Sequence, residues 1–313
     1  MPFCEADPWR LQYFEGVACP REVRIPTEDP DGYSWNPAQR WVYNKLLIAE
    51  SQGLPCAPHG VCPPEFPVFS KPIINLQGMG VGSRVLTDVE HYRSSVTPGH
   101  FWMKLLTGEH VSSDVALVRG QAVWWRHCRG TAAAGGTFDH WVIEAAPRPQ
   151  LETYLGDWAS RHLPQYTGML NLESIGGRII EAHLRVADQW PDLYEAGWIE
   201  AVVGLYARRE WQCPGGERRD GYSLALFGPH GRRYRHPPEE RVAAVRRMPQ
   251  VTSVQITFHE DRPASSHAMP PGGFRLAVIN SLGLEAGRAA RAALAEAFRV
   301  ERILPAERSP DAA

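Results

Sequence analysis

The stretch Asn171-Leu172-Glu173-Ser174-Ile175-Gly176-Gly177-Arg178-Ile179-Ile180-Glu181-Ala182-His183-Leu184-Arg185 decides how this chain is read. Two strand-like runs, Met169 to Ser174 and Arg178 to Leu184, flank a glycine pair, the usual signal for a tight hairpin. With a three-residue loop at Ile175-Gly176-Gly177, Asn171 pairs with Glu181 and Glu173 with Ile179. Side chains alternate along a strand, so Asn171, Glu173, Glu181 and His183 then share one face. Leu170, Leu172, Ile180 and Leu184 share the other. A two-residue turn on the glycines alone splits the carboxylates between faces, so the reading hangs on register. An apolar face on a core and a carboxylate-rich face in a cleft suit hard Mg²⁺ ions bridging phosphates. An exposed hairpin with merely solvated acids has the same pattern.

Upstream, Phe66 to Pro72 reads as a short strand that brings Lys71 to its end, followed by the glycine-rich Gly78-Met79-Gly80-Val81-Gly82-Ser83. Ser83 stands where a dinucleotide fingerprint needs its third glycine, and no Walker-type phosphate loop is present. What remains is a strand-borne lysine ahead of a loop whose N–H groups can approach phosphate oxygens, since no Cβ intervenes.

Around these, residues 1 to 35 read as irregular structure laid over something else. Asn36-Pro37 opens a helix with apolar positions 38, 41, 42, 46 and 49, ended by Gly53. Thr87 and Glu90 form a capping box. Strands are expected at Phe101 to Leu106, Val111 to Val118 and Gln121 to Arg126, with an irregular loop from Gly130 to Thr137. Pro149 opens a helix with apolar positions 151, 154, 155, 158 and 159. Beyond Arg185 the pattern gives a helix near 192 to 207, an extended segment from Tyr222 to Phe227 and a helix near 238 to 248. Strands at 251 to 258 and 272 to 279 and an Ala-rich helix at 284 to 299 follow, and the tail after Pro305 is expected to be loose. Interleaved helices and strands without a repeat imply an α+β fold.

Composition narrows the function classes. Hydrophobic residues at 43% and charged residues at 22% exclude a mainly disordered chain. A net charge of −2 gives no pull towards nucleic acid or anionic membrane, so Arg232, Arg233 and Arg235 read as a solvated face. Six scattered cysteines form no framework, and Cys56, His59 and Cys62 lack a second pair at zinc-ligand spacing. No signal peptide is read at the N-terminus and no apolar run approaches a membrane span, so a cytoplasmic protein is expected.

Taken in order, Lys71, the glycine loop, Trp102-Met103-Lys104-Leu105-Leu106, Gly108-Glu109-His110-Val111-Ser112-Ser113-Asp114, Asn171-Leu172-Glu173 and Glu181-Ala182-His183-Leu184-Arg185 resemble the ATP-grasp superfamily of carboxylate ligases. The match runs from about Asn44-Lys45 to Arg185, and Gly272 to Val278 with the helix after it is similar to a closing segment of some members. The resemblance implies two α+β subdomains clasping a nucleotide: a short N-terminal segment at 1–60, a small subdomain at 61–120 and a larger one at 121–313. It implies ATP and Mg²⁺ as cofactors. Lys71 would neutralise phosphates, beside the glycine loop of Gly78, Gly80 and Gly82. Met103, Lys104, Leu105 and Leu106 would form the adenine-binding hinge, with Lys104 at the adenine edge. Glu109 would take the ribose hydroxyls, with Asp114 as competitor. Glu173 and Glu181 would hold Mg²⁺, and Arg185 would face the transferred phosphoryl group.

Two departures stand out. Position 183 is usually Asn in the family pattern, and imidazole is a poorer ligand for Mg²⁺ than an amide oxygen, so His183 as a metal ligand departs from it. Only some forty residues precede the matching helix, so part of the acceptor site is expected from another copy or a partner subunit. For the acceptor itself, Arg126, Arg129, Asp139 and His140 lie where a carboxylate substrate could be gripped, arginine suiting this by its geometry. The implied activity joins a small, amino-acid-like carboxylate to an amine. A grasp-type kinase acting on a hydroxyl and a non-catalytic ATP-binding scaffold share the same nucleotide residues.

Overall fold

The computed structural model describes residues 3–5, 7–18, 20–187 and 189–303, so the expected loose tail after Pro305 lies outside the described residues. The N-terminal part contains β1 (Phe3–Cys4), α1 (Pro8–Leu11), β2 (Ile25–Pro26), α2 (Asp29–Trp35), a 3₁₀ turn (Arg40–Tyr43) and α3 (Lys45–Ser51). Next come β3 (Cys56–Pro58), β4 (Val68–Pro72), β5 (Arg84–Leu86), α4 (Val89–Ser94) and β6 (His100–Lys104). The middle of the chain forms β7 (His110–Val118), β8 (Gln121–Ala132), β9 (Phe138–Glu144), α5 (Pro149–His162), β10 (Gly168–Ile175) and β11 (Arg178–His183). It closes with α6 (Trp198–Arg208), β12 (Gly221–Gly228), β13 (Arg232–Arg235), α7 (Glu239–Arg246), β14 (Val251–Ile256), β15 (Phe274–Ser281), α8 (Leu284–Ala295) and β16 (Arg299–Ile303). The α+β class expected from the sequence is what the chain adopts.

Two sheets organise the molecule. Four strands in the order β3-β6-β4-β5 make the smaller one, and eight in the order β11-β10-β7-β8-β9-β12-β15-β14 make the larger, which is antiparallel throughout. The break between sheets therefore falls between Lys104 and His110, not at residue 120, because β7 is hydrogen-bonded along its length to β8 and β10. Alternation on β7 and β10 assigns the two faces of the larger sheet. Val115, Leu117, Leu170 and Leu172 pack against Leu155, Trp158 and Ala159 of α5. Ala116, Met169, Trp124 and Cys128 pack on the opposite face against Trp198, Val202 and Leu205 of α6 and against Phe3, Phe14 and Ile25 of the N-terminal segment. That segment is thus the cover expected of it, with short helices where irregular chain was read.

Three local expectations fail for identifiable reasons. The helix read from Pro37 to Gly53 is broken, since Asn44 caps α3 by accepting the Leu47 N–H, leaving a 3₁₀ turn before it. Asp88, not Thr87, caps α4 by accepting the His91 N–H. Residues 130–132 extend β8, and β9 was missed because Phe138 to Glu144 mixes polar and aromatic residues without clean alternation.

The hairpin corrects the expected register while keeping its consequence. Ile175 pairs with Arg178, so the turn is two residues long, and Gly176 and Gly177 take φ of 56° and 77°, as a primed turn requires. A bulge then leaves Ile180 without a partner, and Glu173 faces Glu181 while Asn171 faces His183. The extra residue sits in the strand rather than the loop, and the four polar residues still share a face. Ile179 takes the place expected of Ile180 in the α5 core, and Ile180 instead packs with Phe101 and Met103 of the smaller sheet. The bulge thereby ties the two sheets together.

Candidate functional site at the seam between the sheets

Side-chain alternation in the smaller sheet aims Lys71 at the hairpin. Lys71 pairs with Phe101 and Phe69 with Met103, and Phe69, Phe101 and Met103 meet Ile180 at the seam. Lys71 is buried, donates to the carbonyl of the bulged Ile180 at 2.8 Å and lies 3.8 Å from Glu181. Burial pulls its ammonium down to about 8, with Lys45 adding to the shift and Glu181 opposing it. Lys45, the first residue of α3, reaches the same carboxylate at 2.8 Å. Two buried ammonium groups therefore converge on one acid.

Glu173 and Glu181 complete the cluster, neither of them fully covered. Glu173 accepts from His110 at 3.0 Å and lies 3.9 Å from His183 Nε2, which is 3.7 Å from Glu181. Burial acts most strongly on Glu173 and upward, yet His110, His183 and Lys45 together hold it down at about 2. On Glu181 burial again acts upward, and Lys45, Lys71 and His183 outweigh both it and Glu173. Both acids are held as carboxylates.

His183 is fixed from behind. Its Nδ1 lies 3.0 Å from Asp29, which also accepts from Arg185 Nε at 2.7 Å. Asp29 sits in the first turn of α2 and is buried; burial raises its pKa, but Arg185 and His183 hold the carboxyl well below the usual range. Nε2 of His183 lies 3.9 Å from Glu173 and 3.7 Å from Glu181 and is buried without a hydrogen-bond partner; were Nδ1–H donated to Asp29, Nε2 would offer its lone pair to a cation there. A histidine whose far nitrogen is bound by a carboxylate is the usual arrangement of a metal-ligating imidazole. The donor set of two carboxylates and one oriented imidazole thus fits a divalent cation. Among the described residues, the three potential ligands already gathered within 4.8 Å are Glu5, Asp7 and Glu28, but these surround the buried Arg10 as its ion-pair partners.

The glycine loop follows β4 in the chain, and its Gly82 lies beside Pro72 and His100. Gly78, Gly80 and Gly82 have φ of 68°, 64° and 76°, and around Gly78 and Gly80 the space a Cβ would occupy is open. The connector to the larger sheet is anchored where Gly176 donates to the Glu109 carbonyl at 3.0 Å, and a Cβ on Gly176 would lie 2.3 Å from the Thr107 carbonyl. Met103 is buried and Leu105 and Leu106 are partly so.

Other expected residues are placed elsewhere. Lys104 is exposed, on the side of β6 opposite Met103, because neighbours on a strand alternate. Glu109 is held by Arg148 at 2.8 Å and Arg129 at 3.6 Å. Arg185 is engaged by Asp29. Asp139 pairs with Arg291 of α8 at 2.8 Å and with its neighbour His140 at 2.9 Å, which binds both into the β9–α8 packing. Arg126 and Arg129 project from opposite faces of β8, Arg126 beside Trp124 and Cys128, and Arg129 towards Glu144.

Asp114 does not compete for a ligand: it is buried and accepts from Ala187 N–H, the Asn171 amide and the Tyr194 hydroxyl. Burial dominates and pushes its carboxyl up to about 6, the hydrogen bonds opposing. A raised folded-state pKa gives stability that is full below about pH 4, the unfolded value, and lost as pH rises through about 6, roughly 3 kcal/mol in all. The unfolding free energy of wild type minus that of D114N is expected to fall by about this amount across the window; a constant difference in urea titrations contradicts it.

Lys45, Asp29 and His110 are the residues that reading the sequence missed as parts of this site. Lys45 carried a signal, standing directly after a helix-capping Asn. Asp29 lies 154 residues from His183, with nothing local to reveal the pairing.

Two cavities lie outside this seam. The larger, about 410 Å³, is lined by Trp9, His236, Phe258 and His259 beside edge strand β14, and none of the expected site residues lines it.

No family model and no curated protein sequence matches the chain. Solved structures do. The L-amino acid ligase from Bacillus licheniformis superposes with a TM-score of 0.65 at 12% identity, over 94% of this chain and 83% of that one. Phosphoribosylamine–glycine ligase from Thermotoga maritima gives 0.60 at 14%, over 93% and 86%. N5-carboxyaminoimidazole ribonucleotide synthetase from Thermus thermophilus gives 0.56 at 16%, over 92% and 84%. With two sheets meeting at a lysine-and-carboxylate seam, the chain has the ATP-grasp fold.

Proposed function

We propose that the chain is an ATP-dependent ligase that activates a small carboxylate as an acyl phosphate and joins it to an amine. The observation that carries this reading is the convergence of Lys45 and Lys71 on Glu181, beside Glu173 and the oriented Nε2 of His183. A carboxylate is a poor electrophile. Its oxygen must first attack the γ-phosphorus of ATP, breaking the bond to ADP. The amine nitrogen then attacks the acyl carbon, phosphate leaves with the C–O bond electrons, and the proton passes to solvent. Such transfers ask a protein mainly for alignment and charge neutralisation. Lys45 and Lys71 supply positive charge from buried positions at the seam, and the glycine loop offers backbone donors with open space around Gly78 and Gly80. Glu173, Glu181 and His183 would hold Mg²⁺, which when bound neutralises charge on the nucleotide phosphates. No helix among the described residues is long and apolar enough to cross a membrane, and four described cysteines are free, which supports a reducing compartment.

The test is ADP release from ATP and Mg²⁺ in the presence of pooled carboxylates and amines. Hydroxylamine is expected to trap the acyl group as a hydroxamate. ADP release with a phosphate ester and no hydroxamate identifies a kinase instead, and nucleotide binding without any ADP release identifies a scaffold. Lys71→Met keeps the buried stem and removes the charge. It is expected to weaken nucleotide binding by roughly ten- to a hundredfold, the worth of one charge-assisted contact. Unchanged affinity by calorimetry removes Lys71 from the site.

A further inference from the structure

A half-exposed aromatic shelf adjoins the carboxylate cluster. His110, Gly130 and Trp141 are direct neighbours across β7, β8 and β9, in register with Ile175 of β10, so all three positions project from the sheet face that carries Glu173. Gly130 brings no side chain, and the ring of Phe138 takes its place: a Cβ there would lie 2.6 Å from Phe138 and 3.1 Å from Trp141. The two rings therefore lie down over the Gly130 backbone, with centroids 4.4 Å apart. His110 stands steeply against both, at 5.2 Å from Phe138 and 5.4 Å from Trp141, and Trp190 backs Trp141 from the core at 5.4 Å.

The shelf is open to solvent. His110, Gly130, Phe138 and Trp141 all keep part of their surface exposed, and residues 132–136 beside them are exposed alanines and glycines with nothing larger than a methyl. It joins the cluster through His110, whose Nε2 lies 3.0 Å from Glu173.

Geometry selects the occupant. Covering exposed ring surface with an apolar group is favourable. At 4.4 Å and a tilt of 37°, Phe138 and Trp141 touch each other and leave no gap to enclose an ammonium head. A flat group laid across them suits that arrangement better than a cation, which needs ring faces turned towards it. Reach selects the source. In the ligase reading, on which this inference rests, the reacting carboxylate must approach a phosphate at Glu173 and Glu181, and the surface next to Glu173, past His110, is this shelf. We propose that the carboxylate substrate is an aryl acid, its carboxyl at the seam and its ring on Phe138 and Trp141. The contact asks for no α-amino group.

Calorimetry on the full chain with Mg²⁺ and a non-hydrolysable ATP analogue tests this with benzoate and phenylacetate against acetate, cyclohexylacetate and tetramethylammonium. At least one aryl acid is expected to bind roughly tenfold or more tightly than acetate, and more tightly than cyclohexylacetate. Phe138→Ala is expected to bring the aryl-to-acetate ratio within about threefold. Phe138 opens β9 and is half-exposed, so the fold is expected to survive, as far-UV CD would show. Phe138→Leu, which keeps apolar bulk, should give an intermediate ratio and carries the test should the alanine variant unfold. No binding of either aryl acid, acetate or cyclohexylacetate binding as tightly, tetramethylammonium binding more tightly, or an unchanged ratio in the folded variants overturns the proposal. So does a loss of affinity for the ATP analogue in place of the change in ratio, which assigns the shelf to the purine. Binding is read without turnover. An aryl acid that binds through Phe138 but is never activated therefore fails the ligase reading alone, and hydroxamate formed only from non-aromatic acids fails this inference alone.

Discussion

Replacing Glu181 by Gln is expected to reduce ADP release by roughly 10²–10³-fold, the range for removing one preorganised electrostatic partner of a transferring group. The substitution keeps the side-chain shape and the strand pairing with Glu173. What it removes is the single charge on which Lys45, Lys71 and His183 converge. The Mg²⁺ dependence of nucleotide binding should weaken in the same variant. The two lysines then face each other without a carboxylate, so the variant is also expected to melt somewhat below wild type while remaining folded. Turnover within a few-fold of wild type, in a variant shown to fold, places Glu181 outside the chemistry.

Asp29→Ala is the second large effect, and it is expected in stability first. Asp29 is buried between His183 and Arg185, and its removal takes the carboxylate from a half-buried guanidinium and frees the imidazole to turn. Breaking a buried pair from one side costs about 3–5 kcal/mol. Metal affinity, read by titrating Mg²⁺ into the nucleotide-bound protein, is expected to fall roughly 10- to 100-fold as Nε2 loses its fixed direction. Asp29→Asn retains the volume and a hydrogen-bonding group, and should recover part of the stability with less of the metal affinity. A D29A protein as stable as wild type with unaltered Mg²⁺ dependence contradicts both the pairing and the role drawn from it.

The polar stripe of the hairpin was legible in the sequence because alternation is a short-range property. Asn171, Glu173, Glu181 and His183 share a face whether the extra residue sits in the turn or at Ile180, so an error in register did not move them. Lys71 was legible for a similar reason, at the end of a short strand ahead of glycines. Asp29 and Lys45 were not. Their roles arise from packing α2 and α3 against β11, and such contacts between distant segments leave no periodic trace. Asp114 shows the converse. Residue type and order along the chain suggested a site, and burial with three hydrogen bonds had already engaged it.

The same comparison separates what fold likeness carries from what residues carry. The superposed ligases are at most 16% identical among those compared, so they speak for the arrangement of sheets and not for substrate. The chemistry rests instead on five side chains brought to one seam from α3, β4, β10 and β11, and on the carboxylate that orients His183 from behind.

Calorimetric titration of ATP into the wild-type chain, with excess Mg²⁺ and again with chelator, tests that convergence most directly. Saturable binding that requires the cation is expected, with a matching stabilisation of about 2.7 kcal/mol at a hundredfold excess over Kd. Binding indifferent to the cation, or no binding in either condition, contradicts the assignment of Lys45, Lys71, Glu173, Glu181 and His183 to a nucleotide and metal site.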